Sequence, residues 1–216
     1  MPLCTRNERQ SDHGVRSQQA NSEFSLSAEQ IRRLIEAAPT HRDRALLRLL
    51  AETGIRRQEL AMLEASDIDV ATRLIFVRHG KGGKRRMIPL TDTLALELSM
   101  MIRKPNQSPV FASRQSEFLS LRQINRIVAQ AGIRAGITHP NPKCAHITCH
   151  LLRHSFARLW KSHNGSIESL SKILGHSSVK TTWDVYGTES LIDVQANYAS
   201  TLSKMFSGNS GKDNSK

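Results

Sequence analysis

The chain has 216 residues, 38% of them hydrophobic, and a formal net charge of +12 at pH 7. That length suits one domain with tails, and the apolar fraction supports one sizeable core. The charge points to a polyanion, either nucleic acid or an anionic membrane surface. No apolar run approaches the ~18 residues that span a bilayer. Met1 to Ser25 lacks the apolar stretch of a signal peptide, so a cytoplasmic protein is expected. Three cysteines, Cys4, Cys144 and Cys149, form too sparse and odd a set for a disulfide framework.

Residues 1–23 are rich in Ser, Gln, Asn and Arg and read as a flexible tail or linker stub. Ser27 with Gln30 forms a capping box, followed by Ile31, Leu34 and Ile35 on one helix face. A second helix carries Leu46, Leu47, Leu49 and Leu50 and stops at Gly54, where a left-handed residue costs little. A short helix with Glu59, Leu60 and Leu63 follows. The period then changes. Leu74-Ile75-Phe76-Val77 and Met87-Ile88-Pro89-Leu90 flank a Gly- and Lys-rich turn, which predicts a β-hairpin.

Helices are predicted again over 93–103 and 121–134. The second has Ser120 as N-cap and a stripe of Ile124, Ile127, Val128 and Ala131. A Pro-rich loop at 139–142 precedes a helix capped by Thr148 and running to about His163. Residues 167–174 form another, closed by Gly175. The last spans 189–206, with Leu191, Ile192, Val194 and Leu202 apolar, and residues 207–216 are a second flexible tail. The fold class is mainly α with a small antiparallel β-sheet, and the folded domain occupies 24–206.

Four places carry chemistry. His150 and Arg153 stand three apart, so on a helix they share a face while Leu151 and Leu152 turn to the core. His176 follows the helix stop at Gly175, and Tyr186 lies ten residues beyond it. Arg56 follows the stop at Gly54; its planar fork matches two phosphate oxygens. The hairpin tip gathers Lys81, Lys84, Arg85 and Arg86 among glycines that let backbone approach a ligand. Taken singly, each reads equally as a solvated face or a packed residue.

Their order is the stronger signal. Thr53-Gly54-Ile55-Arg56-Arg57-Gln58-Glu59-Leu60, a basic hairpin, His150-Leu151-Leu152-Arg153-His154 and Leu174-Gly175-His176, then Tyr186, together resemble the tyrosine recombinase (phage integrase-like) family, over its catalytic domain. The resemblance implies a catalytic-domain fold and a site-specific DNA recombinase. Arg56 and Arg153 would clamp the scissile phosphate. His150 and His176 would donate hydrogen bonds to it and help move the proton of Tyr186, the nucleophile that forms a 3′-phosphotyrosine. Lys81, or alternatively Lys84, would protonate the departing 5′-oxygen. Glu59 would orient Arg56, and Lys84, Arg85 and Arg86 would track DNA. No metal, ATP or other cofactor is implied.

The implied partner is double-stranded DNA, bound at two sites by a homo-tetramer that dissociates to monomers in free solution, in a cytoplasmic, nucleoid-associated protein. The apolar face of the last helix would dock on a neighbour or, equally, on its own domain. Three rivals remain. A zinc site could form from His139, Cys144, His146, Cys149 and His150. A non-enzymatic DNA-binding module explains the charge and the helices. A type IB topoisomerase-like enzyme would share the chemistry without site choice.

Overall fold

The computed structural model describes residues 24–78, 85–102, 109–113, 118–175 and 191–207. The expected tails therefore lie outside the described residues, apart from Ser207. So do Lys81, Lys84, His176 and Tyr186.

In chain order the described elements are α1 (Ala28–Glu36), α2 (His41–Thr53), α3 (Arg57–Ala61), a 3-10 turn (Ala65–Asp67), β1 (Ile68–Asp69), β2 (Leu74–Val77) and β3 (Arg86–Pro89). Then come α4 (Asp92–Met101), α5 (Leu121–Arg134), α6 (Cys149–Ser162), α7 (Ile167–Leu174) and α8 (Leu191–Phe206). The class is mainly α with a small antiparallel sheet, as the sequence predicts. Caps set the boundaries. Ser27 and Ser120 each close a capping box with the Gln three residues on, and Thr148 Oγ1 accepts from the Leu151 amide at 3.1 Å. Each satisfies an amide that the first helical turn leaves without a partner.

The core is built around α2. Ala45, Leu46, Leu47, Leu49, Leu50 and Ala51 are all buried, so this helix is apolar around most of its circumference, as a central helix must be. It packs against α1, α4 and α6. Across α6, Leu152, Phe156 and Trp160 are fully buried, which fixes the opposite face toward the functional cleft.

The sheet has the order β1-β2-β3, all antiparallel. The hairpin predicted from residues 74–77 and 87–90 is present, with Leu74 opposite Pro89 and Val77 opposite Arg86. The short strand β1 was not foreseen; two residues are too few to show an alternating pattern.

The C-terminal helix α8 packs on its own domain, against α1, α6, α7 and β3. Val194, Tyr198, Leu202 and Met205 are buried there, while Ile192 is 76% exposed. Of the two dispositions left open by sequence, the intramolecular one accounts for Val194 and Leu202. Tyr198 donates from its hydroxyl to the Glu52 carbonyl at 3.2 Å and lies beside Trp160, so it is a packing residue. Burial, then the Glu52 charge, raises its pKa well above the ordinary tyrosine value.

Candidate active site

Three segments meet at one cleft. The first is the end of α2. Gly54 ends the helix in the left-handed conformation at φ 61°, and a Cβ there would stand 2.7 Å from Leu174 Cδ2 and 2.9 Å from Phe156 Cδ1. The chain turns sharply and places Arg56 at the N-cap of α3. The second is the first two turns of α6, which carry His150 and Arg153 one turn apart. The third is the C-terminal end of α7, where Gly175 is again left-handed, at φ 62°.

The last carbonyls of α7 hold the arginines together. A helix end leaves its final carbonyls without intrahelical partners and carries partial negative charge. Here three consecutive ones each receive a guanidinium: Ile173 O from Arg86 Nε at 2.8 Å, Leu174 O from Arg153 Nη2 at 2.8 Å, and Gly175 O from Arg56 Nη2 at 3.3 Å. Arg153 Nη1 also donates to Gly54 O. The end of one helix thus aligns cations from three other elements, α3, α6 and β3.

Glu59 stands among them with a nearly inaccessible carboxylate. Its Oε1 accepts from Arg56 Nη1 at 3.1 Å and Arg86 Nη1 at 2.8 Å; its Oε2 accepts from the Arg56 amide at 2.9 Å and Arg86 Nη2 at 2.7 Å. Burial raises its pKa, but the Arg86 and Arg56 contacts outweigh this and hold the carboxyl below its ordinary value. Burial first, then the neighbouring Arg56 and Arg86 charges, lower Arg153 to about 10. Cations held close together in a half-dry site are short of anionic charge.

Arg56 and Arg153 line an open cleft of about 430 Å³ with Arg57, Asn125, Thr148 and His150. Both guanidiniums keep further N–H donors beyond their anchoring bonds, a geometry suited to a tetrahedral or trigonal oxyanion. His150 is exposed, with its ring edge-to-face against His154 at 4.5 Å between centroids. Burial, then His150 and Arg153, lower the His154 pKa.

The structure therefore brings Arg56, Glu59, His150 and Arg153 together as the motif order predicts. Leu151 and Leu152 turn to the core as expected. Arg86 departs from the expectation of a DNA-tracking arm. Its side chain is 9% exposed and its fork is spent on Glu59. Strand alternation carried the signal: Arg86 shares its face with Ile88, which is fully buried, while Met87 faces out. Arg85 is exposed. Of the five zinc-site candidates, Cys144 is exposed and Cys149 is buried, with Sγ donating to Asn125 Oδ1 at 3.4 Å. Among the described residues no three metal-ligating side chains converge.

Comparison with known proteins fits this geometry. The model of the phage integrase family matches residues 25–190. The tyrosine recombinase XerA of Pyrococcus furiosus is 36% identical over 165 residues, which is 73% of this chain and 55% of the relative. A crystal structure of XerA recombinase superposes with a TM-score of 0.61 at 29% identity, covering 87% of this chain and 66% of that one. The lambda integrase catalytic core shares the fold, with a TM-score of 0.58 at 24% identity, over 71% of this chain and 95% of that core. The chain belongs to the phage integrase family, the tyrosine recombinases. It spans about half the length of the curated relatives it matches.

Proposed function

We propose that this chain is a site-specific DNA recombinase that cleaves and rejoins strands through a 3′-phosphotyrosine. The observation that carries this reading is the convergence of Arg56 and Arg153 beside His150 in one cleft, anchored on neighbouring carbonyls of a single helix end. Two guanidinium forks set in advance around a phosphorus stabilise charge that builds on its nonbridging oxygens without moving at the moment of reaction.

In this mechanism the Tyr186 oxygen attacks phosphorus and the bond to the 5′-oxygen breaks. His150 and His176 donate hydrogen bonds to the phosphate and help take the tyrosine proton. Lys81, with Lys84 as the alternative, gives a proton to the departing 5′-oxygen. One phosphodiester is exchanged for another, so rejoining needs neither ATP nor a metal. Lys84 and Arg85 contact the DNA backbone. The active assembly is a homo-tetramer on two duplexes, built from monomers in free solution, and it works in the cytoplasm at the nucleoid. Among the described residues no helix is long and apolar enough to cross a membrane.

Family membership favours this reading over a DNA-binding module or a relaxing enzyme. A suicide-substrate assay tests it. Nicked duplexes from the DNA flanking the chain's own gene are incubated with the protein, and covalent adducts are resolved by denaturing electrophoresis. Wild type traps an adduct and Tyr186→Phe does not. Absence of any adduct returns the protein to the binding-module class, and an adduct that survives Tyr186→Phe moves the nucleophile.

A further inference from the structure

Arg86 is the cation of this cluster that does not line the cleft. It leaves β3, meets both oxygens of Glu59, and donates from Nε to Ile173 O. Its stem is wedged beneath Gly175: a Cβ on that glycine would stand 2.9 Å from Arg86 Cδ and 3.2 Å from Nε. One side chain thus fastens the sheet to α3 and to the end of α7. Of the arginines that line the cleft, Arg56 and Arg153 are fastened to those same parts, Arg56 to Glu59 and Gly175, and Arg153 to Leu174.

The charges show what Arg86 adds beyond a strut. Arg56, Arg86 and Arg153 with ionised Glu59 carry a net +2. Without Arg86 the cluster falls to +1, and among the described residues Arg56 is the one cation still bonded to Glu59. A buried carboxylate short of partners competes for the guanidinium that would otherwise serve a phosphate. With Arg86 in place, each Glu59 oxygen has a bond from Arg86 and a bond from Arg56, so the carboxylate is saturated and orients Arg56 without cancelling it.

The geometry points to Arg86 as a positioning residue for the phosphate clamp: by neutralising Glu59 and gripping the end of α7, it sets the place and the net charge of Arg56 and Arg153 without touching DNA. This rests on the strand-cleavage reading above and extends it to a residue outside the cleft.

The test is a coupled set of variants in the suicide-substrate assay. Arg86→Met lowers the initial rate of adduct formation on the order of 100-fold, the size expected when reacting groups shift by about an ångström. Affinity for the same duplex, read by fluorescence anisotropy, stays within about threefold, because a residue off the DNA contributes little to binding. Adding Glu59→Gln to Arg86→Met restores about tenfold, since it removes the charge that Arg86 balanced. Arg86→Lys, which keeps a cation but loses the fork, falls between and guards against simple unfolding. An Arg86→Met enzyme at the wild-type rate overturns the proposal. So does an Arg86→Met loss that Glu59→Gln leaves unrelieved, which would make Arg86 a strut alone.

If wild type itself forms no adduct, the strand-cleavage reading is what fails. The Arg86–Glu59 coupling is then read without DNA, by carbon-13 titration of the Glu59 carboxyl. A rise in its pKa in Arg86→Lys upholds the coupling, and an unchanged value overturns it.

Discussion

Arg153 donates to the carbonyl oxygen of Leu174 at 2.8 Å, so this arginine of the cleft is held by the end of a helix that follows it in the chain. The same guanidinium reaches Gly54 O, the carbonyl of the residue that ends α2. Arg153 is therefore the bolt between the first and last parts of the site, and its planar fork is what spans both carbonyls.

Lysine at that position keeps the charge and loses the fork. Arg153→Lys is expected to lower the rate of adduct formation about 100- to 1,000-fold, the usual cost of one preorganised donor to a developing oxyanion. Single-turnover kinetics on the nicked duplex measures this, with circular dichroism to show that the variant is folded. A rate within about threefold of wild type would remove Arg153 from the clamp.

Glu59 makes stability depend on pH with a definite sign. Its folded carboxyl lies below the ordinary value because Arg86 and Arg56 outweigh the burial that opposes them. Its contribution is complete above the unfolded carboxyl pKa of about 4.3 and is lost as pH falls through the lower folded value. Urea denaturation between about pH 6 and pH 3 should show stability declining with acid. In Glu59→Gln that part of the slope disappears.

Gly54→Ala tests whether the turn before Arg56 is as crowded as it looks. A side chain there must adopt a left-handed conformation, costing about 1–2 kcal/mol. It also meets Leu174 and Phe156 inside ordinary contact distance, which adds about 1–3 kcal/mol of overpacking. Denaturant midpoints should fall accordingly, and adduct formation should fall with them, because Gly54 O is an anchor of Arg153.

Under the proposed mechanism the two tyrosines separate chemistry from packing. Tyr198→Phe loses the hydrogen bond to Glu52 O and about 1 kcal/mol of stability, and it still traps DNA. Tyr186→Phe traps none. A Tyr198→Phe protein that folds but forms no adduct would transfer the nucleophile to the C-terminal helix.

Local signals decided much of the architecture. Ser27, Ser120 and Thr148 cap helices where a side-chain oxygen must meet a free amide, and Gly54 and Gly175 end helices where the backbone turns left-handed. These are nearest-neighbour effects, so they are written in the order of residues. The three-residue step from His150 to Arg153 likewise fixes a shared helical face. The motif order was enough to gather Arg56, Glu59, His150 and Arg153 as one site and to name the family.

Only the tertiary structure decided how those cations are held. The bonds from Arg56, Arg86 and Arg153 to three consecutive carbonyls at the end of α7 link residues 87 to 119 positions apart in two cases and 21 in the third; strand alternation gives Arg86 its inward face, but no local pattern encodes these partners. Arg86 is the clearest instance. In the sequence it closes a basic run that reads as a solvated arm, and β3 turns it inward beside Ile88 onto Glu59. The run of charge is a property of the chain; which of its members finds a buried carboxylate is set by strand register and by the packing of α7 across the sheet.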